Sequence, residues 1–350
     1  MLQTDVLVIG AGQAGLATAY ALKAAGLRFL LVDAGEAVGN SWRNRYDGLK
    51  LFTPRSISAL PGMPLVGDPD GYASKSEFAD YLGRYAEQYD FQVMKSTRIV
   101  KLTKVGEMFE AVSQNGGRIV SRRVIVATGA FTIPPIPALS GALSSVVQQM
   151  HVADFKNACR IADGTVLVVG DGASGRDIAM ALMGSRRVLL AGGRKRKLFP
   201  ERLVGRSVWW WLDKLGLLRA SPESFLGRRM RKADPFPARG NDNTSLGRIG
   251  VELKPRMVAA DGEKVSFEDG SSEVVQAIIW ATGYVDDFSW VEIDGATDDT
   301  ANARHLEGVS HVGGLYFVGR PWQRNRASSL ITGVGPDSAF IADRLQMDCS

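Results

Sequence analysis

Apolar residues along this chain fall in short unbroken runs that stop at glycine. TDVLVI (4–9) reads as a buried strand, Gly10 to Gly15 as a tight turn, and AYALKAAG as a helix closing near Gly26. RFLLVD (28–33) is the next strand. TVLVV (165–169), a second glycine turn, a helix to about Met183 and RVLLA (187–191) repeat the same order. Such runs suit strands of a parallel sheet covered on both faces. FEAVS and RIVSRRVIVATG read as further strands, the latter ending in Ala127, Thr128 and Gly129, and IIWATGY ends likewise in Ala281, Thr282 and Gly283. Ser74 to Glu77 has the form of a capping box, with Phe78, Leu82, Tyr85 and Tyr89 following at helical spacing toward the core. A last helix is expected from about Ser328 to Leu345.

The two glycine turns are dinucleotide fingerprints, VIGAGQAGLA and VVGDGASGRDIA, each set between a strand and a helix. In the first, Gly10, Gly12 and Gly15 surround Gln13 and Ala14, and Asp33, followed by Ala34, closes the next strand where an acceptor for a ribose hydroxyl belongs. In the second, Gly170, Gly172 and Gly175 surround Ala173 and Ser174, and the next strand runs into Gly192, Gly193, Arg194 and Lys195. An acid there repels a 2′-phosphate and a guanidinium pairs with one, so the second site reads as NADPH, with NADH as the weaker option. Small-residue turns at Thr128–Gly129 and Thr282–Gly283 let backbone pass close to a dinucleotide or cross between domains.

The predicted fold is α/β with two Rossmann-like dinucleotide-binding domains, the second, NADP domain inserted in the first. Residues 1–155 form the first part of the outer domain, 156–282 the insert and 283–350 the C-terminal part of the outer domain.

Composition narrows the function. The chain has 350 residues and a net charge of +5, concentrated in GGRKRK (192–197) and GRRMRK (227–232), blocks read as solvated surface first, with a phosphate-bearing ligand as the sharper option and nucleic acid or an anionic membrane as further alternatives. Nucleic acid is not expected as a partner. No run approaches the roughly 18 apolar residues of a membrane span, no export signal is readable, and the expected location is cytoplasmic. Cys159 and Cys349 form no local dithiol, and His151, His305 and His311 lack metal-ligand spacing, so no metal site is expected. RSVWWWLDKLGLL (206–218) places three tryptophans around a helical turn, with domain-interface packing as the first expectation and a substrate pocket or membrane surface as alternatives.

In this order, the two fingerprints, GNSWRNRYDGLKLFTP (39–54), the two ATG turns and LYFVG resemble the flavin-containing monooxygenases over nearly the whole chain, above all small bacterial members similar to the plant YUCCA enzymes. The resemblance implies FAD at the first fingerprint, with Gly39, Trp42 and Arg43 along its flavin side. It places Gly319, Ser328 and Ser329 at the pyrimidine end of the isoalloxazine. It implies oxygenation of a soft nucleophile, nitrogen or sulfur, by dioxygen through an adduct at flavin C4a. The partners would be a small-molecule substrate and O2, and a homodimer is compatible with it. Two departures stand out. The family motif FxGxxxHxxxY/W keeps His151 and Phe155 but has Ser145 and Val147 at its first two positions, which disfavours a Baeyer-Villiger enzyme. Phe52 stands where many members have an asparagine beside the flavin. Phe52 and Trp322 are accordingly the residues expected to shape the reactive face. The open alternatives are a flavoprotein reductase, an uncoupled NADPH oxidase, and a flavin redox sensor or transporter partner.

Overall fold

A computed structural model describes residues 1–184, 186–193, 198–233 and 236–347 of the protein. Its first sheet is built on the apolar run Leu2–Ile9, which lies between Phe29–Val32 and Arg118–Val126, both parallel to it. Leu315–Phe317 adds in parallel to the far side of Arg118–Val126, and Val93–Met94 to the far side of Phe29–Val32. Each inner strand is covered on both faces, which is why these segments are continuous apolar runs rather than alternating ones. The hairpin Ile99–Val105 and Met108–Ser113 continues antiparallel from the lower end of Arg118–Val126.

The second sheet has five parallel strands in the order Glu252–Lys254, Arg187–Ala191, Thr165–Val169, Ala277–Trp280, Gln148–His151. Gln148–His151 therefore belongs to the second sheet, upstream of the boundary expected at residue 156. The chain has already crossed when it reaches that strand. Two segments make the crossing, and they pair with each other: Ile133 and Val285 exchange backbone hydrogen bonds of 3.1 and 2.9 Å, and Thr282 Oγ1 donates to Pro135 O at 2.6 Å.

Arg320, which the sequence does not single out, clasps both crossings. Its guanidinium donates to Gly129 O at 2.6 Å, pairs with Asp286, and lies over the Phe288 ring. The residue is 4% exposed, so its charge is neutralised by partners rather than by water. A second tie runs from the helix Ala173–Leu182: Asp177 accepts from the Tyr46 hydroxyl at 3.0 Å and from Asn241 at 2.8 Å, while Arg239 donates to Leu51 O at 2.7 Å. Tyr46 and Leu49 of the first body sit within the apolar core of the second.

The helix Lys75–Gln88 starts at the expected capping box, Ser74 and Glu77 bonding reciprocally. Phe78, Leu82 and Tyr85 are buried and Tyr89 is half-buried. The C-terminal helix runs Ile331–Met347, preceded by a 3-10 turn at Arg326–Ser329, and packs along the helix Gln13–Ala24 with Thr18 against Ser338 at 3.1 Å. Next to that contact is Asp337, 1% exposed, with Oδ2 unpartnered among the described residues and Arg324 3.7 Å from Oδ1.

Burial pushes the Asp337 carboxyl up to about 6, more than the Ser328 and Arg324 contacts lower it. The folded protein thus holds a proton that the unfolded chain releases near 4, and stability falls as pH rises from about 4 through 6. Asp337→Asn keeps the shape without the charge. It is expected to remove that slope and to stabilise the protein at pH 7 by about 2–3 kcal/mol, read by denaturant unfolding at pH 4.5 and 7. Parallel pH profiles for the two proteins contradict this.

Candidate functional site

The site begins with a backbone contact that a side chain would forbid. A Cβ on Gly15 would lie 1.7 Å from Gly10 O, and one on Gly175 would lie 1.9 Å from Gly170 O. Gly10 and Gly170 themselves have φ of +106° and +109°, and a Cβ there would strike Ala127 O at 2.6 Å and Ala281 O at 2.3 Å. The alanine of each ATG turn is therefore the floor on which its fingerprint turn rests. The bonds match as well: Gly10 N to Val32 O and Ala127 N to Ile9 O in the first copy, Gly170 N to Ala191 O and Ala281 N to Val169 O in the second.

Each turn delivers the chain into a helix that has no side-chain cap and no acid in its first turn, Gln13–Ala24 and Ala173–Leu182. The first amides of such helices are free donors at the positive end of the helix dipole, a setting for a pyrophosphate. At Gly12 a Cβ would meet nothing within 4 Å, so the space over the first helix start is open. These features fit a dinucleotide at each turn.

Around the first helix, Asp33 accepts from the amides of Ala11 at 2.6 Å and Gly35 at 2.7 Å. This orients the carboxylate at the strand end and leaves it lone pairs for a hydroxyl donor. Trp42 Nε1 donates to Gln13 Oε1 at 3.1 Å, bringing the expected flavin-side segment onto the fingerprint. A Cβ on Gly319 would be 2.8 Å from Ala14 Cβ, so the end of Leu315–Phe317 abuts the same helix start. Gln13, Ala14, Asp33, Trp42 and Gly319 thus share one place. Ala34 and Thr128 are exposed at its margin.

Other expected residues make scaffold contacts. Gly39 lies where a Cβ would strike Ala79 O at 2.6 Å, a helix-to-helix approach. Arg43 pairs with Asp80 on the helix Lys75–Gln88. Ser328 is buried and its hydroxyl accepts from the amides of Arg324 and Asn325, while Ser329 bonds to Arg326. Both lie in the 3-10 turn, and the helix itself opens at Ile331.

At the second fingerprint the buried Arg176 donates to Asp171 O, Asn241 O and Asn243 Oδ1 at 2.8–2.9 Å, fixing the turn from below. Ala173 and Ser174 are half-buried at the helix start. Gly192 lies against the Asp171 carboxyl. Arg194 and Lys195 fall outside the described residues. Gly283, at φ +86°, accepts through its carbonyl from His151 Nε2 at 3.1 Å, while His151 Nδ1 accepts from the Ala153 amide at 3.1 Å. Burial lowers the His151 pKa and keeps the ring neutral. His151 therefore pins the second ATG turn, and it has no free nitrogen for proton transfer.

Phe52 and Trp322, distant in sequence, are joined through the insert. Trp209 is 1% exposed and lies 5.7 Å from Phe52, 5.8 Å from Phe199 and under the guanidinium of Arg326, which also covers Trp322. Ile57, Leu218, Ala327 and Leu330 complete this apolar cluster between the bodies. Trp322 has φ +58°, an uncommon conformation that aims its ring at Arg326. Sequence reasoning missed Trp209 as a neighbour of Phe52, because a run of three tryptophans does not say which one turns inward.

The comparisons agree with this geometry. The pyridine nucleotide-disulphide oxidoreductase family matches residues 7–197. An uncharacterized oxidoreductase, CzcO-like, of Geobacillus kaustophilus (strain HTA426) is 44% identical over 96% of this chain and 97% of its own. The probable indole-3-pyruvate monooxygenase YUCCA9 of Arabidopsis thaliana is 26% identical over 82% of this chain and 76% of its own. Among solved structures, a flavin-containing monooxygenase from Stenotrophomonas maltophilia superposes with a TM-score of 0.83 over the full length of both chains at 22% identity. The chain belongs to the pyridine nucleotide-disulphide oxidoreductase family and is a pyridine-nucleotide-dependent oxidoreductase.

Proposed function

We propose that this protein is an FAD-dependent, NADPH-oxidising monooxygenase that oxygenates a soft nucleophile, an amine nitrogen or a sulfide sulfur. The observation that carries the reading is the pair of uncapped fingerprint helices, alike in their glycine contacts and different in the residues that end the next strand. Asp33, held by two amides, suits the hydroxyls of an FAD ribose. Gly192 and Gly193 lead instead into Arg194 and Lys195, which suit a 2′-phosphate. The YUCCA9 relative, named as a probable monooxygenase, supports oxygen as the acceptor.

A bound flavin would supply the redox chemistry, hydride uptake from a nicotinamide and activation of dioxygen, as is usual where the cofactor carries the chemistry. The chain's own part is placement and exclusion of water. The Gly10–Gly15 and Gly170–Gly175 turns would hold the two pyrophosphates. Asp33 would fix one adenosine end and Arg194 the other. Phe52, Trp209 and Trp322 wall the reactive face, and the Arg320 clasp keeps the two bodies in register. An acceptor disulfide in the chain itself is disfavoured, since the sequence has no local dithiol and Cys159 is exposed and free among the described residues.

With FAD restored, oxygen uptake driven by NADPH in the presence of an amine or thioether is expected to yield the oxygenated product, with peroxide well below the NADPH consumed. Peroxide equal to NADPH consumed with every nucleophile tried makes the protein an oxidase. Arg194→Ala is expected to lower the preference for NADPH over NADH by roughly 10- to 100-fold in kcat/KM, the scale of one charge-assisted hydrogen bond. An unchanged ratio removes Arg194 from the 2′-phosphate site.

A further inference from the structure

One segment of the insert carries a net positive charge, next to the basic run at 194–197. Residues 198–233 carry eight Lys and Arg against three Asp and Glu, an excess of five equal to that of the whole chain, so the remaining sequence is balanced. The same segment displays apolar side chains to solvent. Leu203 and Val204 form the tip of the hairpin Arg202–Leu203 and Arg206–Ser207, with Val204 84% exposed, and Leu215, at the end of the helix Val208–Lys214, is also exposed.

Val204 has φ +50°. A β-branched residue in the left-handed region is strained, and glycine or asparagine is the usual occupant of such a turn. Strain together with full exposure of an apolar side chain marks a position kept for contact rather than for folding. The tip is held out by its neighbours: Trp211 Nε1 donates to Leu203 O at 2.8 Å, and the cations of Arg206 and Lys214 both lie over the Trp210 ring. Arg206 is braced at its base by Asp70 of the first body at 2.7 Å. An aliphatic tip, half-buried tryptophans behind it and the cations of Arg206 and Lys214 over Trp210 match the layers of an anionic bilayer surface: acyl boundary, headgroup interface and phosphate plane.

We propose that the hairpin Arg202–Ser207 and the helix Val208–Lys214 dock this protein peripherally on an anionic lipid bilayer, with Leu203 and Val204 entering the acyl boundary. A nucleic acid would use the cations and the tryptophans but has no place for the aliphatic tip. The inference is independent of which substrate the flavin site oxidises. No described helix is long and apolar enough to cross a membrane, so docking is to the surface.

The test is sedimentation of the flavin-loaded full chain with vesicles of phosphatidylcholine alone or with phosphatidylglycerol added, and a DNA duplex as competitor. Binding is expected only with phosphatidylglycerol, weakening as salt is raised. Val204→Gly relieves the backbone strain while removing the apolar tip. It is expected to leave the thermal midpoint equal or higher and NADPH oxidation in solution unchanged, and to weaken vesicle binding roughly ten-fold. Leu203→Ser is expected to act in the same direction. Binding by Val204→Gly equal to wild type, absence of binding to phosphatidylglycerol vesicles, or retention by the duplex in their place each overturns the proposal.

Discussion

The structure depends on a contact between backbones that only glycine permits. In both bodies the third fingerprint glycine presses onto the carbonyl of the first, and the first rests on the alanine of an ATG turn. No side chain fits between these atoms, so helix, strand and crossover are drawn together at one point. That same point leaves a helix N-terminus without a cap, its amides facing open space at the first copy. The geometry that packs the fold is thus also one that suits an anion.

Everything else in the site comes from repeating that unit and fixing the two copies relative to each other. The crossing segments pair at Ile133 and Val285, Arg320 binds both of them, and Asp177 reaches back through Tyr46 and Arg239. The insert segment containing Trp209 then closes over Phe52 and the turn at Arg326–Ser329. On the proposed function, placement of a nicotinamide against a flavin would be a property of this assembly, which neither body provides alone.

Much of this was legible in the sequence, for a physical reason. Strand runs, fingerprint turns, the capping box at Ser74 and the ATG endings are local patterns set by sterics and backbone hydrogen bonding, and they fold where the sequence places them. The insertion of one dinucleotide unit in another was legible from the 160-residue repeat. What escaped was long-range: Arg320 and Arg176 are lone arginines among many, and nothing near them in sequence announces burial. Gln148–His151 is too short and too polar to be assigned to a sheet without its partner Ala277–Trp280. Ser328 and Ser329 lie before the helix opening at Ile331, the Ser328 hydroxyl in the capping box of a 3-10 turn with Asn325 and the Ser329 hydroxyl bonded to Arg326.

The central claim, that the first cradle holds the flavin and the second the nicotinamide cofactor, can be tested without disturbing the fold. Aspartate is a preferred N-cap, so Gly12→Asp and Gly172→Asp satisfy helix amides that now lack a cap while placing negative charge where each pyrophosphate would lie. The measurement is flavin bound per chain, followed by reduction with NADPH. The account predicts that Gly12→Asp folds without flavin, and that Gly172→Asp retains flavin but is no longer reduced by NADPH. Retention of flavin in Gly12→Asp with its loss in Gly172→Asp would contradict it.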